Sequence, residues 1–239
     1  TAQLLGFLKS RNIEAAQADL SIELINRIFC KEKLMEIFQI LETKKLNKQH
    51  RIMLQNVDFY VNSIDAVIRF LSGKDMTLAM RFSSLNYWPQ TKKTPVDEDL
   101  EWAFGVTGNY DRAVHLCTIM LKDLVELIQK NIDTHFELIR YAESLCMHLP
   151  EFDAVESELQ KPLSFVEREL IDLFSEKILH FHPEFVGISV PFPGNLLSAL
   201  RCAQWLKKHN PHIKVIMGGG YVNTELRQIS DNKIFDYID

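Results

Sequence analysis

Cysteine is scarce, and its placement excludes more than its number does. Cys30, Cys117, Cys146 and Cys202 are the only four in 239 residues. No two share a CxxC or CxxxCxxC spacing, so by spacing they build neither a zinc site nor an iron–sulfur site, and they read as reduced, buried thiols. A long basic run is also missing. The 27 Lys and Arg and 32 Asp and Glu are spread along the chain with a net charge of −5, which leaves no electrostatic footprint for nucleic acid. No apolar run reaches the roughly 18 residues of a spanning helix, and the opening TAQLLGFLKSRN lacks the charged start and long apolar core of a secretory signal. No membrane partner is expected, and the cytoplasm is the expected compartment. Glycine and proline are few, nine and eight, and unevenly spent: five glycines and three prolines fall between Gly187 and Gly220.

What is present is mostly helical. With 46% hydrophobic residues a packed core is expected. AQLLGFLKSRN sets Leu4, Leu5 and Leu8 at helical spacing and stops at Ser-Arg-Asn. IEAAQADL after it reads as a weak strand. SIELINRIFCKEKLMEIFQILETKK reads as one long helix with Ser21 as its cap and Ile22, Ile25, Ile28 and Phe29 as its apolar stripe. Further helices are expected near 50–72, 75–82, 110–129, 131–147 and 164–180, with a long loop over SSLNYWPQTKKTPVDEDLEWAFGVTGN. The stripe Leu116, Ile119, Met120, Leu124 and Leu127 marks a core face.

The pattern changes at Glu184. FVGISV, between Pro183 and Pro191, fits a buried parallel strand, NLLSALRCAQWLKKHNP a helix, and IKVIMGG a second strand; YVNTELRQISDNK then reads as a helix and IFDYID as the opening of a third strand. Alternation of this kind predicts a doubly wound α/β fold, Rossmann-like or flavodoxin-like, with a large all-helical insertion. The domain reading is 1–30 with 181–239 as the α/β domain and 31–180 as the insertion. Ligands of such sheets bind at the carboxyl ends of the strands, where SVPFPGN and MGGGYVN lie. Glycine there permits positive φ or close approach of a ligand to the backbone, and it equally makes a tight strand-to-helix turn. Neither GxGxxG nor GxxxxGK[ST] occurs, which argues against dinucleotide and P-loop nucleotide binding.

VGISVPFPGNL and KVIMGGGYVNT resemble two loops of cobalamin-binding domains, the Ser-x-Leu turn that lines the cavity for the nucleotide tail and the Gly-Gly turn that packs against it. Together with AQLLGFLKSRNIEAAQADL, they are similar to the N-terminal cobalamin-binding-like domain of radical S-adenosylmethionine enzymes. The resemblance covers about 1–30 and 184–239. It implies that Ser189, Val190, Pro191, Gly218, Gly219 and Gly220 contact cobalamin. It also implies that the partner is a catalytic barrel outside this chain, which would carry the 4Fe-4S cluster and S-adenosylmethionine for a methyltransferase or oxidoreductase reaction. No catalytic residue and no protein metal ligand is assigned to the chain itself. The family's leucine is replaced by Pro191, and the DxHxxG motif of base-off members would fall before Thr1. The first strand of the sheet is therefore expected to precede Thr1 or to be supplied by another segment or chain, leaving apolar strand edges here.

Other constellations are weaker. His180 and His182 form an HxH pair with no third ligand nearby in sequence, and Cys146 and His148 point to different helix faces. DTHFEL at 133–138 satisfies D-x-H without the glycine. Asp97, Glu98, Asp99 and Glu101 fit a solvated helix start, and Tyr87, Trp88 and Trp102 pack on the insertion or form a lid. The alternative function is a non-catalytic scaffold or interaction domain without cobalamin, favoured by Pro191 and the bulky Tyr221.

Overall fold

A computed structural model describes residues 2–90, 95–105, 107–138, 152–229 and 231–239. The chain divides into two compact units, residues 1–24 with 135–239, and residues 25–134. The doubly wound parallel sheet expected from the alternation does not form: the chain is 67% helical and carries two short parallel strands. No described helix is long and apolar enough to cross a membrane.

The first unit begins with α1 (Ala2–Ser10), followed by an extended segment and then α2 (Leu20–Ile28), whose Leu20 and Leu24 pack on the core of this unit. IEAAQADL makes no strand. Its alanines and polar residues give little pleated apolar surface, residues 13–19 are exposed apart from half-buried Ala15, and no described strand pairs with them. Asp19, rather than Ser21, caps α2, its Oδ1 accepting from the Ile22 amide at 3.1 Å. The second part of the unit comprises α9 (Asp153–Leu159), α10 (Phe165–Phe181), β1 (Phe185–Ser189), α11 (Leu196–His209), β2 (Lys214–Gly218) and the short α12 (Gly220–Thr224). β1 and β2 run parallel in register from Phe185 opposite Lys214 to Ser189 opposite Gly218.

One sheet face enters the core with Val186, Ile188 and Val215, which pack with Leu197, Leu200 and Phe174 of the covering helices. The other face is bare. Phe185 is 62% exposed and Ile216 54% exposed, with Gly187 and Ser189 also open. The expected third strand is a 3-10 turn over Asn232–Asp236, because Ile234 and Tyr237 are buried at helical rather than alternating spacing and the Asp231 carboxylate accepts from the Lys233 amide. The chain meets β2 at Asp239, whose amide donates to the Val215 carbonyl and whose Oδ2 accepts from the Val215 amide, each at 2.9 Å.

The unit is tied together by a buried cation. Arg201 of α11, 2% exposed, donates from Nε to Glu167 Oε1 at 2.8 Å, from Nη1 to the Leu159 carbonyl at 2.8 Å and from Nη2 to the Glu158 carbonyl at 2.9 Å. Glu167 accepts in turn from the Ser164 amide, closing a capping box at the start of α10.

The second unit is helical: the end of α2, then α3 (Lys31–Glu42), α4 (Lys48–Gln55), α5 (Val57–Leu71), α6 (Ala79–Phe82), α7 (Asp97–Phe104) and α8 (Asn109–Asn131). The single helix expected over 21–45 breaks at Cys30, which takes an extended conformation, and the Asp65 carboxylate of α5 caps the new start by accepting from the Lys31 amide at 3.1 Å. The helix expected over 50–72 breaks at Asn56, whose Nδ2 donates to the Ile52 carbonyl at 2.8 Å. Of the helix expected over 131–147, residues 132–138 are turns and irregular chain, and 139–147 lie outside the described residues. α8 packs on α5, α6 and α7, burying Leu116, Met120, Leu124 and Leu127.

Two stability predictions follow from these contacts. Leu124→Ala, at a fully buried site in α8, should cost about 2–5 kcal/mol in urea unfolding. Arg201→Ala leaves the Glu167 carboxylate buried without its cation, so a loss of about 3–5 kcal/mol is expected in the same measurement.

Candidate functional site

The crossover from β1 through α11 to β2 places both strand ends side by side, with Ser189 opposite Gly218. SVPFPGN leaves the first end and turns into α11 through a 3-10 turn at Pro193–Asn195; MGGGYVN leaves the second and enters α12. The expected juxtaposition of the two loops is present. They touch directly, for the Val190 amide donates to the Gly218 carbonyl at 2.7 Å and the Tyr221 amide donates to the Val190 carbonyl at 3.2 Å.

Ser189, Val190, Pro191, Gly218, Gly219 and Gly220 have different surroundings in these loops. The Ser189 side chain is exposed at the end of β1, and Pro191 is exposed beside it. Val190 is fully buried in the core and both its backbone groups are engaged within the chain. The three glycines separate by cause. Gly219 has φ +114°, and a Cβ there would lie 2.6 Å from the Val190 carbonyl oxygen and 2.8 Å from its carbon and nitrogen. The turn itself therefore requires glycine at 219. A Cβ on Gly220 would lie 3.2 Å from the Pro191 oxygen. At Gly218, as at Gly187, a Cβ would meet nothing within 4 Å.

Gly187, Ser189 and Gly218 thus form a low, nearly side-chain-free floor on the bare sheet face, bordered by Phe185 and Ile216. Phe192, which the sequence reading passed over, is 67% exposed in the SVPFPGN loop. The signal that could have found it is an aromatic between two prolines, where it cannot join a helix or strand face. Tyr221 turns inward and is buried in the core, so its bulk does not occupy the space above the floor.

The remaining candidates carry less. His182 takes the left-handed conformation that ends α10, and the His180 ring lies edge-on to Phe181 at 4.8 Å between centroids. Among the described residues no group of three His, Cys, Asp or Glu side chains could hold a metal ion. Asp133 and His135 of DTHFEL lie in turns, and Cys146 and His148 lie outside the described residues. Asp97, Glu98 and Asp99 occupy the first turn of α7, where the helix dipole favours them. Tyr87 and Trp88 pack with Phe59 and Phe82 of their own unit, while Trp102 is 91% exposed. Burial pushes the Cys117 and Cys202 thiols up to about 12, so both stay protonated at neutral pH and are poor nucleophiles.

Comparison with protein-family models, curated proteins and solved structures gave no match to this chain.

The glycine environments predict a split between neighbours. Gly219→Val should lower the thermal midpoint strongly because the side chain collides with backbone, whereas Gly218→Ala should leave it within about 2 °C, as expected for a change with no steric cost. Thermal unfolding followed by circular dichroism on both variants checks this.

Proposed function

We propose that the paired loops after β1 and β2 contact the nucleotide tail of cobalamin, and that the chain is the cobalamin-binding region of a radical S-adenosylmethionine enzyme of methyltransferase or oxidoreductase type. The observation that carries this reading is the floor of Gly187, Ser189 and Gly218, where two adjacent strand ends present backbone and one hydroxyl with open space above Gly218. A ligand that lies against a strand end needs bare backbone there. Gly218 provides it and the turn does not otherwise demand glycine at that position.

Ser189 would donate or accept through its hydroxyl, Gly218 and Gly220 would offer close backbone approach, and Pro191 and Phe192 would supply apolar contact. Val190 and Gly219 support the site from beneath by fixing the two loops to each other. Cobalamin would supply the organometallic chemistry, and the 4Fe-4S cluster and S-adenosylmethionine would belong to a barrel outside this chain. The chain alone binds and does not catalyse. The cytoplasm is the proposed setting.

A second reading has its own support. Phe185 and Ile216 stand exposed on the same face, and parallel strands are ordinarily covered on both faces, so this surface equally suits a protein partner in a non-catalytic interaction domain.

Hydroxocobalamin mixed with the purified protein and passed through gel filtration separates the two. Retained visible absorbance supports cobalamin binding, and a colourless protein defeats it. Gly218→Val should abolish retention while the fold persists; a stable Gly218→Val variant that retains the pigment as the wild type does would show that the floor is not the site.

A further inference from the structure

The two edges of the sheet differ. On the outer side of β2, Asp239 engages both the amide and the carbonyl of Val215, and its carboxylate sits between Lys207 and Lys214. Charged side chains at an edge keep other strands away. The outer side of β1 has no such guard. The Lys214 amide donates to the Glu184 carbonyl and the Val190 amide to the Gly218 carbonyl, which fixes the phase: Glu184, Val186, Ile188 and Val190 turn their backbone groups to β2. Phe185, Gly187 and Ser189 therefore turn theirs outward, and these amides and carbonyls meet no hydrogen-bond partner among the described residues. All three residues are exposed, and Val186 and Ile188 are only half-buried although they face the core. The edge is open.

It is also self-complementary. Pro183 and Pro191 lie equally far to either side of Gly187, and neither has an amide hydrogen to donate. When two copies of β1 run antiparallel about Gly187, Gly187 faces Gly187 and Phe185 faces Ser189, each facing pair exchanges two hydrogen bonds, and the prolines fall just outside the ladder. Centring the pairing on Val186 or Ile188 instead sets a proline against Ser189 or Phe185 and loses donors at both ends. Facing residues of such pairs project to the same side, so both core faces lie on one side of the joined sheet. Glycine at the centre removes any side-chain collision across the axis, and FVGIS carries no charge, so the two-fold sets no like charges against each other on the strand.

We propose that the outer edge of β1 pairs antiparallel with the same edge of a second copy of this chain, joining the two sheets in the order β2–β1–β1–β2 about a two-fold axis at Gly187. The pairing uses the edge backbone and does not depend on what covers the bare face. Three facing pairs bury less than the roughly 1,200 Å² of a standard interface, so the association is weak and is seen at high concentration.

Sedimentation equilibrium of the wild-type chain over a concentration series should show a monomer–dimer equilibrium. Deuterium exchange followed by NMR reads the register in the same protein. The amides of Phe185, Gly187 and Ser189 should slow as concentration rises, while those of Val186 and Ile188, already bonded to β2, should not change. Gly187→Lys and Gly187→Glu each set like charges across the axis and should weaken association about fivefold or more, whereas an equimolar mixture of the two should pair at least as tightly as the wild type. A Cβ at Gly187 meets nothing within 4 Å, so both variants have room to fold. A wild type that stays monomeric throughout the series, a dimer whose three edge amides exchange as fast as in the monomer, or folded variants that associate equally well alone and mixed would each overturn the proposal. The first of these outcomes leaves the edge to a strand of another chain. The exchange measurement decides the matter on the wild type even if neither variant folds.

Discussion

A guanidinium removed from water costs several kcal/mol, and it is tolerated only where its donors all find acceptors. Arg201 meets that condition by drawing three elements to one point. Its fork takes the Glu158 and Leu159 carbonyls at the end of α9, and its Nε takes the carboxylate that also caps α10. Gln204, one turn further along α11, adds a 3.0 Å bond to the Leu159 carbonyl. The helix that crosses from β1 to β2 is thereby anchored at its middle. Through the apolar contacts of Leu197 and Leu200 on one side of that helix, the same anchor positions the strands, and hence the loops after Ser189 and Gly218.

The strands show why one parallel pair can persist here. A two-stranded sheet is marginal by itself and needs packing on at least one face. Val186, Ile188 and Val215 provide that face, and the opposite one is left to Gly187, Ser189, Phe185 and Ile216. β1 has no further described strand on its outer edge, while β2 exchanges two hydrogen bonds with Asp239. Asp239 is in turn held between Lys207 and Lys214, and these contacts keep its carboxyl well below the usual carboxylate range. Its carboxylate therefore stays ionised across the ordinary pH range and remains an acceptor for the Val215 amide there.

How much of this could be read from the sequence depends on whether a cause is local. FVGISV, NLLSALRCAQWLKKHNP and IKVIMGG carry unbroken apolar runs or clean helical spacing, and all three form the expected elements, the two strands buried on one face only. The α8 stripe is equally plain. The errors have distant causes. A strand needs a neighbour, so IEAAQADL, with little apolar surface of its own, stays irregular when no described strand lies beside it. The break at Cys30 depends on Asp65, 34 residues away, and no property of the sequence near Cys30 announces that partner. Extending the alternation into a doubly wound sheet assumed that IFDYID would continue a period of two, whereas Ile234 and Tyr237 bury at a period of three. In the candidate site the run of three glycines was visible, yet their roles were not. The demand for glycine at 219 comes from the Val190 backbone across the sheet, and only the folded arrangement distinguishes that constraint from the open position at 218.

The surroundings of the Arg201 charge mark it as structural polarity. Around Arg201 every acceptor is a helix-end carbonyl, an amide side chain or a capping carboxylate, groups whose own needs are met by the same contacts. Replacing such a network with apolar side chains of similar volume can leave a protein equally stable, because the network serves the fold and nothing else.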